Sequence, residues 1–152
     1  MKSILRLVLI ALAALPLSCS LLYKPLRIDE AHYPLGQLRQ SSIQALPIGL
    51  RSSSTNGREL LSQYFVLKSG KYEEAINLPV RWSAKIVILG ERRPYEVEIY
   101  VFKERRVEGS QGVEYQTEGQ DFRLAKRVKD QLLQKLAQRR EDLNIIDDFR
   151  VF

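Results

Sequence analysis

The chain has 152 residues, 45% of them hydrophobic, with one tryptophan, five phenylalanines and seven tyrosines, and 24 basic against 18 acidic side chains. That length and apolar content suit one globular domain rather than two, and exclude a disordered chain. With one cysteine, Cys19, and one histidine, His32, neither a disulfide framework nor a His/Cys metal cluster can form, and no cofactor is expected.

The first six residues carry Lys2 and Arg6 and no acid, and they lead into nine uninterrupted apolar residues, Leu7 to Leu15. This is the charged region and apolar region of a secretory signal. As a helix the run rises only about 14 Å, under half of a hydrocarbon core of roughly 30 Å, so a permanent span is not expected. Pro16-Leu17-Ser18-Cys19 then resembles the lipobox of bacterial lipoprotein precursors. Ser18 fits the small residue before the cut and Cys19 the acylated cysteine, while Pro16 stands where the usual pattern has leucine. The resemblance implies removal of residues 1–18, a diacylglyceryl group on the Cys19 sulfur, an acylated amine, and a protein tethered to a bacterial membrane. Acylation also removes the liability of an unpaired thiol in an oxidising compartment. Two or three acyl chains anchor durably where one does not. Ser20 in place of Asp implies, by the sorting rule of enteric lipoproteins, the periplasmic side of the outer membrane. The competing reading is an ordinary secretory leader, cut after Ala13 or Ser18.

From Ser20 to Gly57 the residues Pro25, Pro34, Pro47, Gly36 and Gly49 interrupt every apolar period, so residues 19–57 are expected to form a lipidated tether and an irregular segment. Within it, the apolar stretch Ile43 to Leu50 could dock on the domain, and Asn56-Gly57 is a pair favoured in two-residue hairpin turns. A single α+β domain is expected over 58–152. Glu59 to Lys68 reads as a strand closed by Ser69-Gly70, although Leu60, Leu61, Tyr64 and Phe65 also satisfy helical spacing. Val80, Trp82, Ala84, Ile86 and Ile88 alternate with Arg81, Ser83 and Lys85, and after the turn at Gly90 to Pro94 the residues Tyr95, Val97, Ile99 and Val101 alternate again. A period of two on both sides of a turn predicts an antiparallel hairpin with one buried face, and places Trp82 in the core. A third strand is expected at Val113 to Thr117. Asp121 can cap a helix running to about Arg140, with Leu124, Ala125, Val128, Leu132, Leu136 and Phe122 in one apolar arc. Lys129 interrupts that arc and must snorkel. Leu143 to Phe152 is expected to add a last strand or to tuck under the helix. The expected fold is therefore α+β: a small antiparallel sheet of three to five strands packed by one long C-terminal amphipathic helix.

No glycine-rich phosphate loop and no serine elbow is present, and His32 falls in the expected tether. Glu96 and Glu98 share a strand face about 7 Å apart. Arg81 and Lys85 are expected across the hairpin from them, which makes the carboxylates sheet stabilisers rather than an acid/base pair. An enzyme is not expected. Without Lys2 and Arg6 the excess of basic over acidic residues falls by two, from +6 to +4. It concentrates at Arg92-Arg93 in the hairpin turn, at Lys103 and Arg105-Arg106, and at Arg123, Lys126 and Arg127 on the first helical turns. Nucleic acid is a poor target for an exported, tethered protein. Lipid phosphates, lipopolysaccharide and acidic partner proteins are the anionic candidates for Arg92, Arg93, Arg105 and Arg106.

The order of elements over 58–140 is similar to that of the small α+β lipoproteins of bacterial outer-membrane assembly, the lipopolysaccharide-assembly lipoproteins among them, except that no helix is evident between the opening strands. The resemblance implies a non-enzymatic accessory subunit docked on an envelope complex. A carrier or sensor binding lipid or glycan between sheet and helix is the alternative, and a small periplasmic hydrolase the third.

Overall fold

A computed structural model describes residues 23–109 and 112–148, with side chains as far as residue 138. The leader, Cys19 and residues 149–152 lie outside the described residues. In chain order the elements are β1 (Leu26–Ala31), α1 (Leu35–Ala45), β2 (Leu50–Ser53), β3 (Glu59–Ser62), β4 (Phe65–Lys68), β5 (Lys71–Glu74), β6 (Val80–Leu89), β7 (Tyr95–Gly109), β8 (Gly112–Gln120) and α2 (Phe122–Asp148).

The β6–β7 hairpin is the spine. Its register runs unbroken from Val80 opposite Arg105 to Leu89 opposite Glu96. Two shorter strands share each of its outer edges. On β6 these are β3, opposite Lys85 to Val87, and β4, where Phe65 faces Trp82. On β7 they are β1, opposite Tyr95 to Ile99, and β8, opposite Phe102 to Gly109. With β2 beside β3 and β5 beside β4, the sheet has eight strands, every pair antiparallel. The expected three to five strands were too few, because β1, β2 and β5 carry only short or weak alternation.

Both helices are part of one apolar core with the sheet. Ala84, Ile86, Ile88, Val97, Ile99 and Val101 are buried on the helix side, meeting Leu124, Ala125, Val128, Leu132 and Leu136 of α2. These helix positions recur every three or four residues, so a single stripe is removed from water. Burial of a leucine or valine contributes about 1.5–3 kcal/mol each, which makes this stripe the main source of α2's stability. Lys129 snorkels as expected, its Nζ donating to the Arg27 carbonyl at 2.6 Å. Phe122, assigned to the apolar arc, is instead half exposed. The helix continues past Arg140 through Asp148, so residues 143–148 are helical rather than a strand.

Residues 26–53 depart furthest from expectation. The segment read as irregular folds as β1, α1 and β2, and Leu38, Ala45 and Leu46 belong to the same core cluster. Helix α1 packs on α2 through Leu38, Ser41, Ser42 and Ala45, whose i, i+3, i+4, i+7 spacing is one helix face. Small side chains at three of these positions let the two helices approach closely. The Asn56-Gly57 pair does lie between two strands, but in a five-residue loop from Ser54 to Arg58, with positive φ at Gly57 alone. Gly57 donates to the Ser54 carbonyl at 2.8 Å, and a Cβ there would lie 2.6 Å from the Arg39 guanidinium carbon. Glu59 to Lys68 is strand, as preferred, though broken at Gln63-Tyr64 into β3 and β4.

Candidate functional site

Three groups of side chains bear on function: the basic hairpin turn, a polar array on the open sheet face, and the clefts around the start of α2.

Arg92 and Arg93 lie in the exposed turn between β6 and β7, and among the described residues neither forms an ion pair. The base of the turn is held by Arg58, which donates to the Gly90 carbonyl and stacks 5.8 Å from the Tyr95 ring centre. Arg105 and Arg106 do not join them. Arg105 lies ten residue steps along β7 from Tyr95, about 33 Å of extended chain, so the two arginine pairs occupy opposite ends of the hairpin. Arg105 is also engaged, since it and Lys103 converge on Glu118. Their hydrogen bonds, Arg105 first and then Lys103, hold the Glu118 carboxyl below the usual carboxylate range.

On the sheet face away from the helices, the register corrects the expected partners of the carboxylates. Glu98 faces Val87 and Glu96 faces Leu89, not Arg81 or Lys85. Glu98 is only 9% exposed and spends both oxygens: Arg27 Nη2 donates to Oε1 at 2.7 Å, and the Tyr100 hydroxyl donates to Oε2 at 2.8 Å. Burial, then the hydrogen bond to Glu98 and its negative charge, push the Tyr100 phenol up to about 12, with the Arg27 charge opposing. Lys85 pairs with Glu59 at 3.1 Å. Arg81, on the strand face opposite the expected core, is only 8% exposed. Its guanidinium is sandwiched between Tyr64 and Tyr115, each ring centre 3.4 Å away. It donates through Nε to Glu104 at 2.9 Å and through Nη1 to the Ile76 carbonyl at 2.8 Å. Two aromatic partners far apart in sequence gave no local signal for this.

At the start of α2, the Asp121 carboxylate accepts from the Arg123 and Leu124 amides at 3.1 and 3.0 Å, the cap expected from sequence. Clefts surround this turn. One of about 550 Å³ is lined by Lys103, Glu118, Gln120, Phe122 and Arg123. A second of about 400 Å³ lies between Leu67, Trp82, Leu124 and Arg127. Trp82 is therefore partly buried beside the helix's first turns rather than enclosed in the core. Its Nε1, and both amide atoms of Gln120, are buried without a partner among the described residues. Arg127 closes the second cleft by donating to the Gly70 carbonyl at 2.6 Å and lying 5.2 Å from the Tyr72 ring centre. Unpaired amide and indole groups beside apolar walls and two arginines can accept a polar ligand.

His32 is exposed directly after β1. Among the described residues no three His, Cys, Asp or Glu side chains come together as a metal site, and no helix is long and apolar enough to cross a membrane. Comparison of the chain with family models, with curated proteins and with solved structures finds no match in any of the three.

Proposed function

We propose that this chain is a non-enzymatic accessory lipoprotein of the bacterial envelope, anchored through an acylated Cys19 and docked by its distal hairpin turn on an acidic surface of a membrane assembly or transport complex. The observation that carries the docking role is the polarity of the β6–β7 hairpin. Tyr23, the first described residue, packs 5.1 Å from Phe102, whereas Arg92 and Arg93 project from the far end of β7. Phe102 lies seven residue steps from Tyr95, about 23 Å of strand, so the anchored end and the two arginines face apart. A guanidinium pair with no carboxylate partner among the described residues presents bidentate donors to carboxylates of a partner protein.

A photo-crosslinking residue at position 92, compared with one at exposed Gln134, tests the docking in native membranes. A single larger membrane protein captured from 92 and not from 134 supports it. Capture from both positions alike, or from neither, removes the docking role. A second reading, a carrier of lipid or glycan, is favoured by the unpaired Gln120 amide and Trp82 indole in the clefts. Its sign would be extractable ligand that co-purifies with the protein and is lost in Gln120→Leu.

A further inference from the structure

The course of the chain into β1 fixes more than an attachment point. Tyr23 is the fourth residue after Cys19, and a fully extended chain of four residue steps spans at most about 14 Å. Tyr23 sits edge-on to Phe102, whose register partner is Gln120, and the next amide, of Asp121, donates to the Val101 carbonyl at 2.8 Å. The chain therefore enters the fold beside the first turn of α2. An anchor at Cys19 leaves this turn no room to sit far from the headgroups.

We propose, building on the lipoprotein reading, that the surface around the first turn of α2 lies on an anionic phospholipid bilayer, with Phe122 entering the interface and Lys24 and Arg123 facing lipid phosphates. Phe122 is 50% exposed, although its neighbours Leu124 and Ala125 are buried. It borders a cleft of about 400 Å³ shared with Leu26, Lys126 and Lys129, on the side where β1 passes. An exposed aromatic ring among basic side chains is the composition of a surface that rests in a membrane interface. The acids of this region are already occupied. Asp121 caps the helix, Asp130 is held by Lys126 at 2.6 Å, and Glu118 is held by Lys103 and Arg105. Glu118 and Asp130 are matched by bases and Asp121 by the positive end of the α2 dipole, so Lys24 and Arg123, which form no ion pair among the described residues, leave the surface an excess of positive charge. The elements facing away are β1's acidic end at Asp29-Glu30 and the Arg92-Arg93 turn.

Cys19 is the chain's one cysteine and its thiol is consumed by acylation, so a second cysteine can be labelled alone. Full-length acylated protein carrying Phe122→Cys or Arg92→Cys, labelled with an environment-sensitive fluorophore, is placed in vesicles of phosphatidylethanolamine and phosphatidylglycerol containing a doxyl-lipid quencher. Quenching at 122 is expected to exceed that at 92 by about twofold or more, and to fall in phosphatidylcholine vesicles. Equal quenching at both positions, or stronger quenching at 92, overturns the orientation. Undiminished quenching in phosphatidylcholine overturns the role of anionic lipid. The mass of the same preparation separates the two readings. An unmodified Cys19 overturns the anchor and this inference with it, whereas an acylated chain with a water-exposed label at 122 overturns the orientation alone.

Discussion

Single residues on the open sheet face are held by polar contacts, and two of them give measurable consequences. Tyr100 keeps its proton more tightly in the folded chain than in the unfolded one, because burial and the neighbouring Glu98 carboxylate both oppose a phenolate. A folded pKa raised above the unfolded value stabilises below the unfolded pKa. The contribution of Tyr100 is thus complete below pH of about 10 and is lost as pH rises toward about 12. In NMR titration of ring-labelled tyrosine, Glu98→Gln should move the Tyr100 midpoint part of the way back toward 10, the burial component remaining. An unchanged midpoint would mean that Glu98 does not act on the phenol. Glu118 has the opposite sign, since its depressed carboxyl stabilises above the usual carboxylate pKa and loses that contribution as pH falls through its own lower value. Arg81 is the more costly residue to remove. Arg81→Ala strands the Glu104 carboxylate, 16% exposed, with Ser83 as its remaining side-chain partner, and empties the space between Tyr64 and Tyr115. A loss of about 3 kcal/mol is expected in urea denaturation, and Arg81→Lys should recover only part of it, because an ammonium cannot stack between two rings. Full recovery by lysine would show that charge alone matters there.

At the scale of elements, local chemistry decides what the sequence reveals. The β6–β7 hairpin and α2 were legible because each holds a long, regular apolar pattern, and α2 has Asp121 as a side-chain cap. Asp121→Ala should cost about 1 kcal/mol of stability by thermal unfolding, the usual cost of an N-cap, while leaving the sheet's ladder intact. Loss of amide protection in β6 and β7 along with the first turn of α2 would show that the cap supports more than the helix. Helix α1 was not legible for three physical reasons. Its first turn follows Pro34 without a side-chain cap, Gly36 lowers its propensity, and Ser41 and Ser42 occupy buried positions that an apolar count passes over. Strand β1 alternates for too few residues to register. The hairpin of β4 and β5 is hidden because Ser69-Gly70, both at positive φ, has the composition of a strand end as much as of the turn between two strands that it forms. Long-range geometry hid the rest of the candidate site. The basic residues were visible one by one, but only the register of β7 shows that Arg92-Arg93 and Arg105-Arg106 stand at opposite ends, and that Glu118 occupies the second pair's neighbourhood.

For the whole molecule, the separation of these ends makes a charge-reversal experiment selective. Arg92 and Arg93 are exposed, with no ion pair among the described residues, so the folded state gains little from them. Exposed charges contribute within about 1 kcal/mol, and Arg92→Glu with Arg93→Glu should leave the melting temperature nearly unchanged. Membrane anchoring should also be unchanged, because the turn lies about 23 Å of strand beyond Phe102 and Tyr23. Docking on an acidic protein partner should weaken instead. Two reversed charges convert attraction into repulsion, and that change is felt furthest at low ionic strength, where the Debye length is about 30 Å at 0.01 M against about 8 Å at 0.15 M. The double variant should therefore show its largest deficit in crosslinking to the membrane complex at low salt, with the deficit narrowing as salt rises. A deficit that persists equally at every salt concentration would point to a shape contact of the turn rather than to charge. No deficit at any concentration, with stability and anchoring intact, would leave the two arginines as solvated turn residues and return the search for a partner surface to the clefts at the start of α2.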